Sequence, residues 1–289
     1  MEAATHALAF TLVVCGAVVH ALWNIIAKAG SGGPLFVWAY SATSAVIYLP
    51  IAIWAVVATS SAWTPLGMTA VFTSGVLHLG YALALQGGYG KADLSIVYPL
   101  ARGTGPTLSV AGAIVLLGEP CTWPILVGTA VVVIGVYTVG VIGRAPEGPI
   151  WSGIKWGILT GVFIAGYTLN DGAAVRLLGV SPFIIDYFGN FVRVVLLTPV
   201  AVRNRHTLAE QCRQSAKSIL GVAMLIPIPY LLALYAMTLT SVSAIAPARE
   251  LSMMVGVLFS QFLLDEPNVA SRLLGAGMIV AGVATLALG

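Results

Sequence analysis

Two arginines lie inside stretches that are otherwise apolar enough to form membrane helices. Arg102 lies in the segment YPLARGTGPTLSVAGAIVLL, and Arg249 lies in the segment APARELSMMVGVLFSQFLL. A charge at the centre of a bilayer costs at least about 2.5–3.5 kcal/mol on insertion scales, so it is expected to face a cavity, a partner or a helix end. Glu250 and Arg193 meet the same criterion. We expect the two arginines to hold an anionic substrate group or a gating carboxylate. The alternative is a buried structural ion pair, for example Arg249 with Asp171.

Polar and aromatic side chains at helical spacing add candidates for the same cavity. Residues three or four apart share one face of a helix, and three short groups have this spacing. The groups are His20 with Trp23 and Asn24, His78 with Tyr81, and Tyr167 with Asn170 and Asp171. Tyr98 and Tyr230 are further candidates for substrate contact. Proton coupling or ion pairing is expected at Asp171, Glu250 or His20. For any single aromatic residue, packing in the core is the competing interpretation.

These residues belong to a chain whose composition requires lipid as part of its solvent. The 289 residues are 59% hydrophobic and only 8% charged, whereas soluble domains carry about a quarter charged residues. A spanning helix needs about 20 mostly apolar residues. Ten segments meet that length, which predicts an all-α integral membrane protein with ten transmembrane helices. The expected spans are 6–28, 34–57, 65–88, 92–117, 122–142, 151–176, 181–203, 216–240, 242–265 and 268–288.

The second half of the chain repeats the first. A shift of 147 residues places Arg102 on Arg249 without a gap, and it places a Glu-Pro pair and two glycines on identical residues. The matched pairs are Glu119-Pro120 with Glu266-Pro267, Gly128 with Gly275, and Gly135 with Gly282. An odd number of helices per copy inverts the second copy, so residues 1–144 and 145–289 are predicted to form two inverted five-helix repeats. We expect the glutamates at helix ends and the glycines at a close helix contact, between the two repeats or between two protomers.

Motifs of enzymes and of nucleic-acid binding are missing from the sequence. It has no phosphate-binding loop, no metal-binding helix pair and no nucleophile elbow. The three cysteines, Cys15, Cys121 and Cys212, lack the spacing of a metal site or a redox pair. The basic residues form no nucleic-acid patch. We therefore expect a protein that is not an enzyme, with no cofactor, no metal and no nucleic-acid partner.

Three segments resemble the drug/metabolite transporter (DMT) superfamily, and specifically its EamA-type ten-helix transporters. They are HALWNIIAK, YPLARGTGP followed by LLGEP, and APARELSMMVGVLFSQFLLDE. The resemblance covers nearly the whole chain and implies two EamA repeats. It implies a central cavity to which the third, fourth, eighth and ninth helices contribute, and efflux of small metabolites, amino acids or drugs across the bacterial inner membrane. The first span lacks the glutamate that small multidrug relatives use for proton and cation exchange, which argues against cationic-drug antiport.

The resulting hypothesis is a multi-pass secondary transporter of the inner membrane that exports its substrate by alternating access of the two repeats. Arg102 and Arg249 are expected to recognise or gate a small zwitterion or anion with an apolar part, such as an amino acid or organic acid. A drug or lipid-linked sugar carrier is the alternative within transport. A membrane enzyme acting on lipid headgroups and a non-transporting scaffold are the alternatives from other classes. The expected partners are the substrate and the lipid bilayer, with the protein as a monomer or homodimer.

Overall fold

The computed structural model describes residues 2–28, 30, 33–58, 64–89, 91–92, 94–141, 150–256 and 269–288. Within these ranges every regular element is an α-helix. The helices are α1 (Glu2–Lys28), α2 (Gly33–Ile47), α3 (Leu49–Ala58), α4 (Pro65–Tyr89), α5 (Leu94–Leu116), α6 (Trp123–Val141), α7 (Ile150–Arg176), α8 (Pro182–Arg203), α9 (Arg205–Gln214), α10 (Ala216–Leu225), α11 (Pro227–Leu239), α12 (Val242–Ala248) and α13 (Val269–Ala287). Residues 251–256 are also helical. The predicted repeat boundary at 144/145 and the pair Glu266-Pro267 lie outside the described residues.

Seven helical segments in the described ranges are long and apolar enough to cross a membrane. They are Ala4–Ala27, Pro65–Gly88, Trp123–Gly140, Ile150–Arg176, Pro182–Arg203, Ala216–Leu239 and Ala270–Ala287. The pair α2 and α3, bent by 58°, raises the number to eight if it forms one span. Helix α5 has 23 residues, but Arg102 and its small polar neighbours lower its mean hydropathy. The predicted span 242–265 extends beyond the described residues. The all-α fold and its multiple apolar helices agree with the sequence, and the count of ten spans stays a prediction.

Proline and glycine residues determine where several helices bend and end. Pro227 and Pro229 follow the break at Ile226 that separates α10 from α11, because proline has no N–H for the helical hydrogen-bond ladder. Gly118 lies just after α5 and Gly179 just after α7, with φ values of 68° and 64°. Such positive φ values favour glycine, which has no Cβ. The ends of α5 and α7 agree with the predicted span ends at 117 and 176, whereas the break at Ile226 lies inside the predicted span 216–240.

The polar segment between α8 and α10 forms a short helix of its own, α9, where the sequence suggested only a polar connection. Most of α9 is exposed. Its half-buried residues Leu208 and Cys212 pack against a small core that includes Trp23 and Phe36, near the end of α1 and the start of α2. Residues four apart lie on the same side of a helix, so this pair anchors α9 to the bundle.

The two halves of the chain pack against each other along several helix pairs. Helix α1 packs on α11, and α4 packs on α7. Helix α2 packs on both α8 and α10, while α5 lies along α7. The main hydrophobic core contains residues from α1, α6, α7, α8, α11 and α13, so neither half buries its apolar side chains alone.

The four matched glycines form the contact between α6 and α13. A Cβ added to Gly135 would lie 2.7 Å from the carbonyl oxygen of Gly275, and a Cβ on Gly275 would lie 2.8 Å from that of Gly135. The second pair is similar, with 2.9 Å from Gly128 to the oxygen of Gly282 and 2.7 Å in the reverse direction. The predicted close contact therefore joins the two halves of one chain.

Glu119 holds together the ends of three helices. Its carboxylate oxygens accept hydrogen bonds from the backbone N–H of Val242 at 2.8 Å and of Ser243 at 2.9 Å, at the start of α12. It also forms an ion pair with Arg176, the last residue of α7. A carboxylate at a helix N-terminus satisfies free N–H groups and favours the helix dipole. The helix-end role predicted for Glu119 is therefore confirmed.

Candidate functional site

A cavity of about 240 Å³ lies between α1, α2, α4, α5, α7, α8 and α11, and charged and aromatic side chains line it together with apolar ones. Eight of the residues predicted to contact a substrate or proton line this cavity. They are His20, Trp23, His78, Tyr81, Arg102, Tyr167, Tyr230 and Arg249. The other five predicted residues are not part of this lining, and they are Asn24, Tyr98, Asn170, Asp171 and Glu250. The fold thus gathers residues from distant parts of the sequence around one space.

Arg102 has a carboxylate partner from the other half of the chain. Its Nη1 lies 3.2 Å from Oε1 of Glu250, and its Nη2 lies 3.1 Å from Nε2 of His20. The ring of Tyr98, one turn earlier on α5, has its centroid 5.4 Å from the guanidinium carbon. The Arg102 and Glu250 side chains are 14% and 4% exposed, so this ion pair is buried and links the two halves.

Arg249 has a different set of contacts. Its Nη1 donates to Oγ1 of Thr168 at 3.4 Å, and its guanidinium carbon lies 5.8 Å and 5.1 Å from the ring centroids of Tyr167 and Tyr230. Within the described part of the chain, no carboxylate lies within ion-pair distance of Arg249. The ion pair with Asp171 that the sequence offered as an alternative is not formed. Arg249 therefore brings a positive charge and unused N–H donors to the cavity wall.

Asp171 is fully buried behind the wall, where protein donors satisfy its carboxylate. Ser74 Oγ donates to it at 2.9 Å, Asn170 Nδ2 donates at 2.7 Å, and the hydroxyl of Tyr230 donates as well. Asn170 also donates to the carbonyl oxygen of Ala70 at 2.9 Å. This network fixes the position of Tyr230, whose ring then contacts Arg249. Asn24 acts locally, because it donates to the carbonyl oxygen of His20 at 3.0 Å.

Aromatic rings form one wall of the cavity. His78 stacks on Tyr167 with ring centroids 4.1 Å apart, and it meets Tyr230 edge-on at 5.0 Å. Tyr81 meets Tyr167 edge-on at 5.8 Å. His20 and Trp23 form a similar edge contact at 5.0 Å. Such a wall provides apolar ring faces together with hydroxyl, indole and imidazole groups at the ring edges.

Two donors in the cavity lining have no partner in the described structure. The indole Nε1 of Trp23 and the guanidinium Nε of Arg193 are buried without a hydrogen bond. A buried donor left unpaired costs free energy, and a bound molecule with acceptor atoms would remove that cost. The unpaired donors and Arg249 together favour a ligand that carries a carboxylate or a similar acceptor group.

Helix α8 supplies a polar face to the cavity that sequence reasoning had not combined into a site. Asp186, Asn190 and Arg193 follow each other by four and three residues, and all three line the cavity together with Tyr40 of α2. Arg193 met the criterion of a charge inside a predicted span. Asp186 meets the same criterion, so the signal was present in the sequence. The internal repeat does not mark Asp186, because Ala39 stands at the equivalent position of the first half.

The chemistry of the described residues is that of binding. No group of three or more histidine, cysteine, aspartate or glutamate residues within the described ranges is placed to hold a metal ion. The cavity offers a cation with free donors, an aromatic wall and a polar face on α8. This arrangement can hold a small amphipathic molecule by ion pairing, hydrogen bonding and ring contact.

A bundle of apolar helices around an internal cavity indicates a multi-pass membrane protein. Residues 151–288 match the sequence model of the EamA-like transporter family. The second half of the chain therefore contains a region that is similar to EamA-like transporter domains, which belong to the DMT superfamily. A comparison with curated protein sequences finds no match.

One solved crystal structure shares the fold of the whole chain. It superposes on 100% of this chain and 99% of its own chain, with a TM-score of 0.73 and 13% sequence identity. At this identity the likeness concerns the fold alone. The arrangement of all described helices is thus one that occurs in a crystallised protein of nearly the same extent.

Proposed function

We propose that this protein is a secondary transporter that exports a small carboxylate-bearing metabolite across the inner membrane. The proposed substrate is a zwitterion or anion with an apolar part, such as an amino acid or organic acid. The single observation that carries the proposal is Arg249, a cation at the cavity wall that has no carboxylate partner among the described residues. A carboxylate substrate would complete its hydrogen bonds, because a guanidinium presents a planar fork of donors that matches a carboxylate.

The proposed mechanism is alternating access of two inverted five-helix repeats, residues 1–144 and 145–289. The shift of 147 residues that matches Arg102 to Arg249 also places α1 on α7, α4 on α10 with α11, and α6 on α13. Because α1 corresponds to α7 and α11 corresponds to α4, the contact of α1 with α11 has an equivalent in the contact of α7 with α4. Both contacts are observed. This exchange supports the inverted repeat, since an inverted-repeat transporter holds its substrate between two halves that move against each other.

The Arg102–Glu250 ion pair is proposed as the element that links the halves during this movement. Arg102 belongs to the first repeat and Glu250 to the second, and both side chains are largely withdrawn from solvent. Any rearrangement that opens the space between the halves must keep the pair intact or provide each charge with another partner. As long as the pair stays intact, the part of α5 around Arg102 must move together with the residues that follow α12.

Transport by the purified protein in liposomes tests the proposal. The panel contains labelled amino acids, organic acids, organic cations and a lipid-linked sugar, and empty liposomes serve as the background. We expect saturable counterflow of amino acids or organic acids in the wild type, and a large loss for Arg249→Ala. Gly277→Ala is the matched control for insertion, because a Cβ at Gly277 meets no atom within 4 Å. Transport confined to organic cations or the sugar would contradict the proposal and favour the alternative carriers.

An assay for headgroup turnover on the same liposomes tests the alternative of a membrane enzyme. The proposal expects unchanged lipids after incubation with active protein, because a transporter moves its substrate without changing it chemically. Protein that releases lipid headgroups, and that moves no solute, would replace the transporter proposal.

A further inference from the structure

Asp186 differs from the other acids near the cavity because none of the described residues donates to it. Asp171 accepts three hydrogen bonds, Glu250 pairs with Arg102, and Glu119 pairs with Arg176. Asp186 lines the cavity, and no described residue donates a hydrogen bond to its carboxylate. A carboxylate withdrawn from bulk water needs a cation or donors to remain favourable. Its position at the cavity wall leaves a bound molecule as the partner that the protein does not supply.

The charges around the cavity limit what that molecule can be. The charged groups in this region of the described chain form two equal sets, the arginines 102, 193 and 249 and the acids 171, 186 and 250. A substrate carboxylate on Arg249 adds one negative charge to this balanced set. Uncompensated charge is costly where the effective dielectric constant is low. A positive group on the same substrate would restore the balance.

We propose that Asp186 forms a second subsite that binds a cationic amine of the substrate. The inference rests on the proposed carboxylate transport and narrows its substrate class from anions or zwitterions to zwitterions. The substrate carboxylate occupies Arg249, and its ammonium group lies at the α8 face of the cavity. The hydroxyl of Ser44 also lines the cavity, and it can accept a hydrogen bond from an ammonium group.

Arg193 does not take the place of the amine. It lies seven residues after Asp186 on α8, which corresponds to about 10 Å along the helix axis. Arg193 lines the cavity together with Tyr40, and no ion pair between Arg193 and Asp186 is formed within 4.0 Å among the described residues. The two side chains therefore line the cavity at different positions along the axis of α8. An ammonium has room to approach Asp186 without displacing Arg193.

Paired ligands that differ only in the amine test this subsite in the full-length protein. The pairs are L-leucine with 4-methylpentanoate, L-phenylalanine with 3-phenylpropanoate, and L-threonine with 3-hydroxybutanoate. Affinities are measured by titration calorimetry in lipid nanodiscs for the wild type, Asp186→Asn and Asp171→Asn. We expect the wild type to bind the amine-bearing member of at least one pair about tenfold or more tightly, because hydrogen bonds between charged groups are the strong ones. In Asp186→Asn this preference falls to near equality.

Asp171→Asn is the control, since its carboxylate is bonded to protein donors and lies behind the wall. It is expected to change both affinities of a pair together and to leave their ratio in place. An Asp186→Asn protein that keeps the wild-type ratio overturns the subsite, as does a wild type that binds both members of every pair equally. A wild type that binds no member of any pair overturns the proposed function, and the subsite with it. Counterflow of the preferred amino acid by each variant checks that binding and transport change together.

Discussion

Arg102 and Arg249 occupy the same position of the internal repeat, but they have different partners. Arg102 forms a buried ion pair with Glu250 and donates to His20. Arg249 lies against two tyrosine rings, and among the described residues it donates to Thr168 alone. The repeat therefore places two cations in one cavity, and within the described part of the chain only Arg102 has a carboxylate partner.

The difference arises from the residue that follows each arginine. Gly103 follows Arg102, whereas Glu250 follows Arg249. A Cβ at Gly103 would lie 2.8 Å from the ring of Tyr137 on α6, so a glutamate cannot occupy that position without moving the ring. Only the second repeat therefore has an acid directly after its arginine. This acid, Glu250, forms the ion pair with the arginine of the first repeat. A single difference between the copies separates the tasks of two equivalent side chains.

The largest effect is expected from removing the acid that causes this asymmetry. Glu250→Gln leaves Arg102 as a buried cation without a carboxylate, and breaking a buried ion pair in this way costs about 3–5 kcal/mol of stability. Arg249→Met leaves no acid unpaired, so its effect should be much smaller. Thermal unfolding in detergent, compared at equal protein and detergent concentrations, measures both. The double variant Arg102→Met with Glu250→Met should recover most of the loss, because the two sites interact directly.

Equal destabilisation by Glu250→Gln and Arg249→Met would contradict the comparison. It would mean that both arginines depend on Glu250 to a similar degree.

The next effect concerns transport. Arg249→Ala should lower transport of a carboxylate substrate by roughly tenfold to a hundredfold, since hydrogen bonds to charged groups contribute about 1.5–3 kcal/mol. Arg249→Lys should restore only part of the rate, because it keeps the charge but loses the planar fork of donors. Initial rates over a range of substrate concentrations, normalised to the amount of inserted protein, provide the measurement. In Arg102→Ala we expect less inserted protein but a smaller change in apparent KM, so a larger KM change in Arg102→Ala would reverse the assignment.

The glycine contact is the place where the two repeats remain alike, and it gives a symmetric prediction. Gly135→Ala and Gly282→Ala, which are equivalent in the repeat, should each destabilise the protein by about 1–3 kcal/mol, because an added methyl group overpacks a backbone contact. Their costs should be equal within error, since each Cβ would meet the carbonyl oxygen of the facing glycine at 2.7 Å. Gly277→Ala on α13 is the control and should leave the unfolding temperature unchanged. Unequal costs for the first two variants would show that the contact is not symmetric.

The sequence predicted the charged residues of the cavity better than it predicted their partners. Arginines in apolar segments and the 147-residue shift were enough to expect Arg102 and Arg249 at one site, because membrane insertion penalises charge wherever it faces lipid. The pairing of Arg102 with Glu250 depends on how α5 and the residues after α12 cross, and no local pattern encodes that crossing. The place of Asp186 in the cavity wall became clear only from the packing of α8, whose polar face lines the cavity. The ends of α5 and α7 agree with the predicted span ends at 117 and 176, but the proline-marked break at Ile226 lies inside the predicted span 216–240, and the short polar helix α9 lies between two predicted spans.

The smallest expected effect concerns Tyr167, the ring that contacts Arg249, and its repeat equivalent His20, which contacts Arg102. The repeat shift places His20 on Tyr167; His20 accepts from Arg102, whereas the ring of Tyr167 contacts Arg249. Tyr167→Phe keeps the ring face, so substrate affinity should change by less than about twofold. Tyr167→Leu removes an interaction between a cation and a ring that contributes about 0.5–2 kcal/mol, and affinity should fall several-fold because Arg249 loses one of the two rings that orient it. Titration of the preferred carboxylate ligand into both variants measures the difference. A loss of affinity in Tyr167→Phe equal to that in Tyr167→Leu would assign the effect to the hydroxyl group, and the ring contact would then not explain how Arg249 is held.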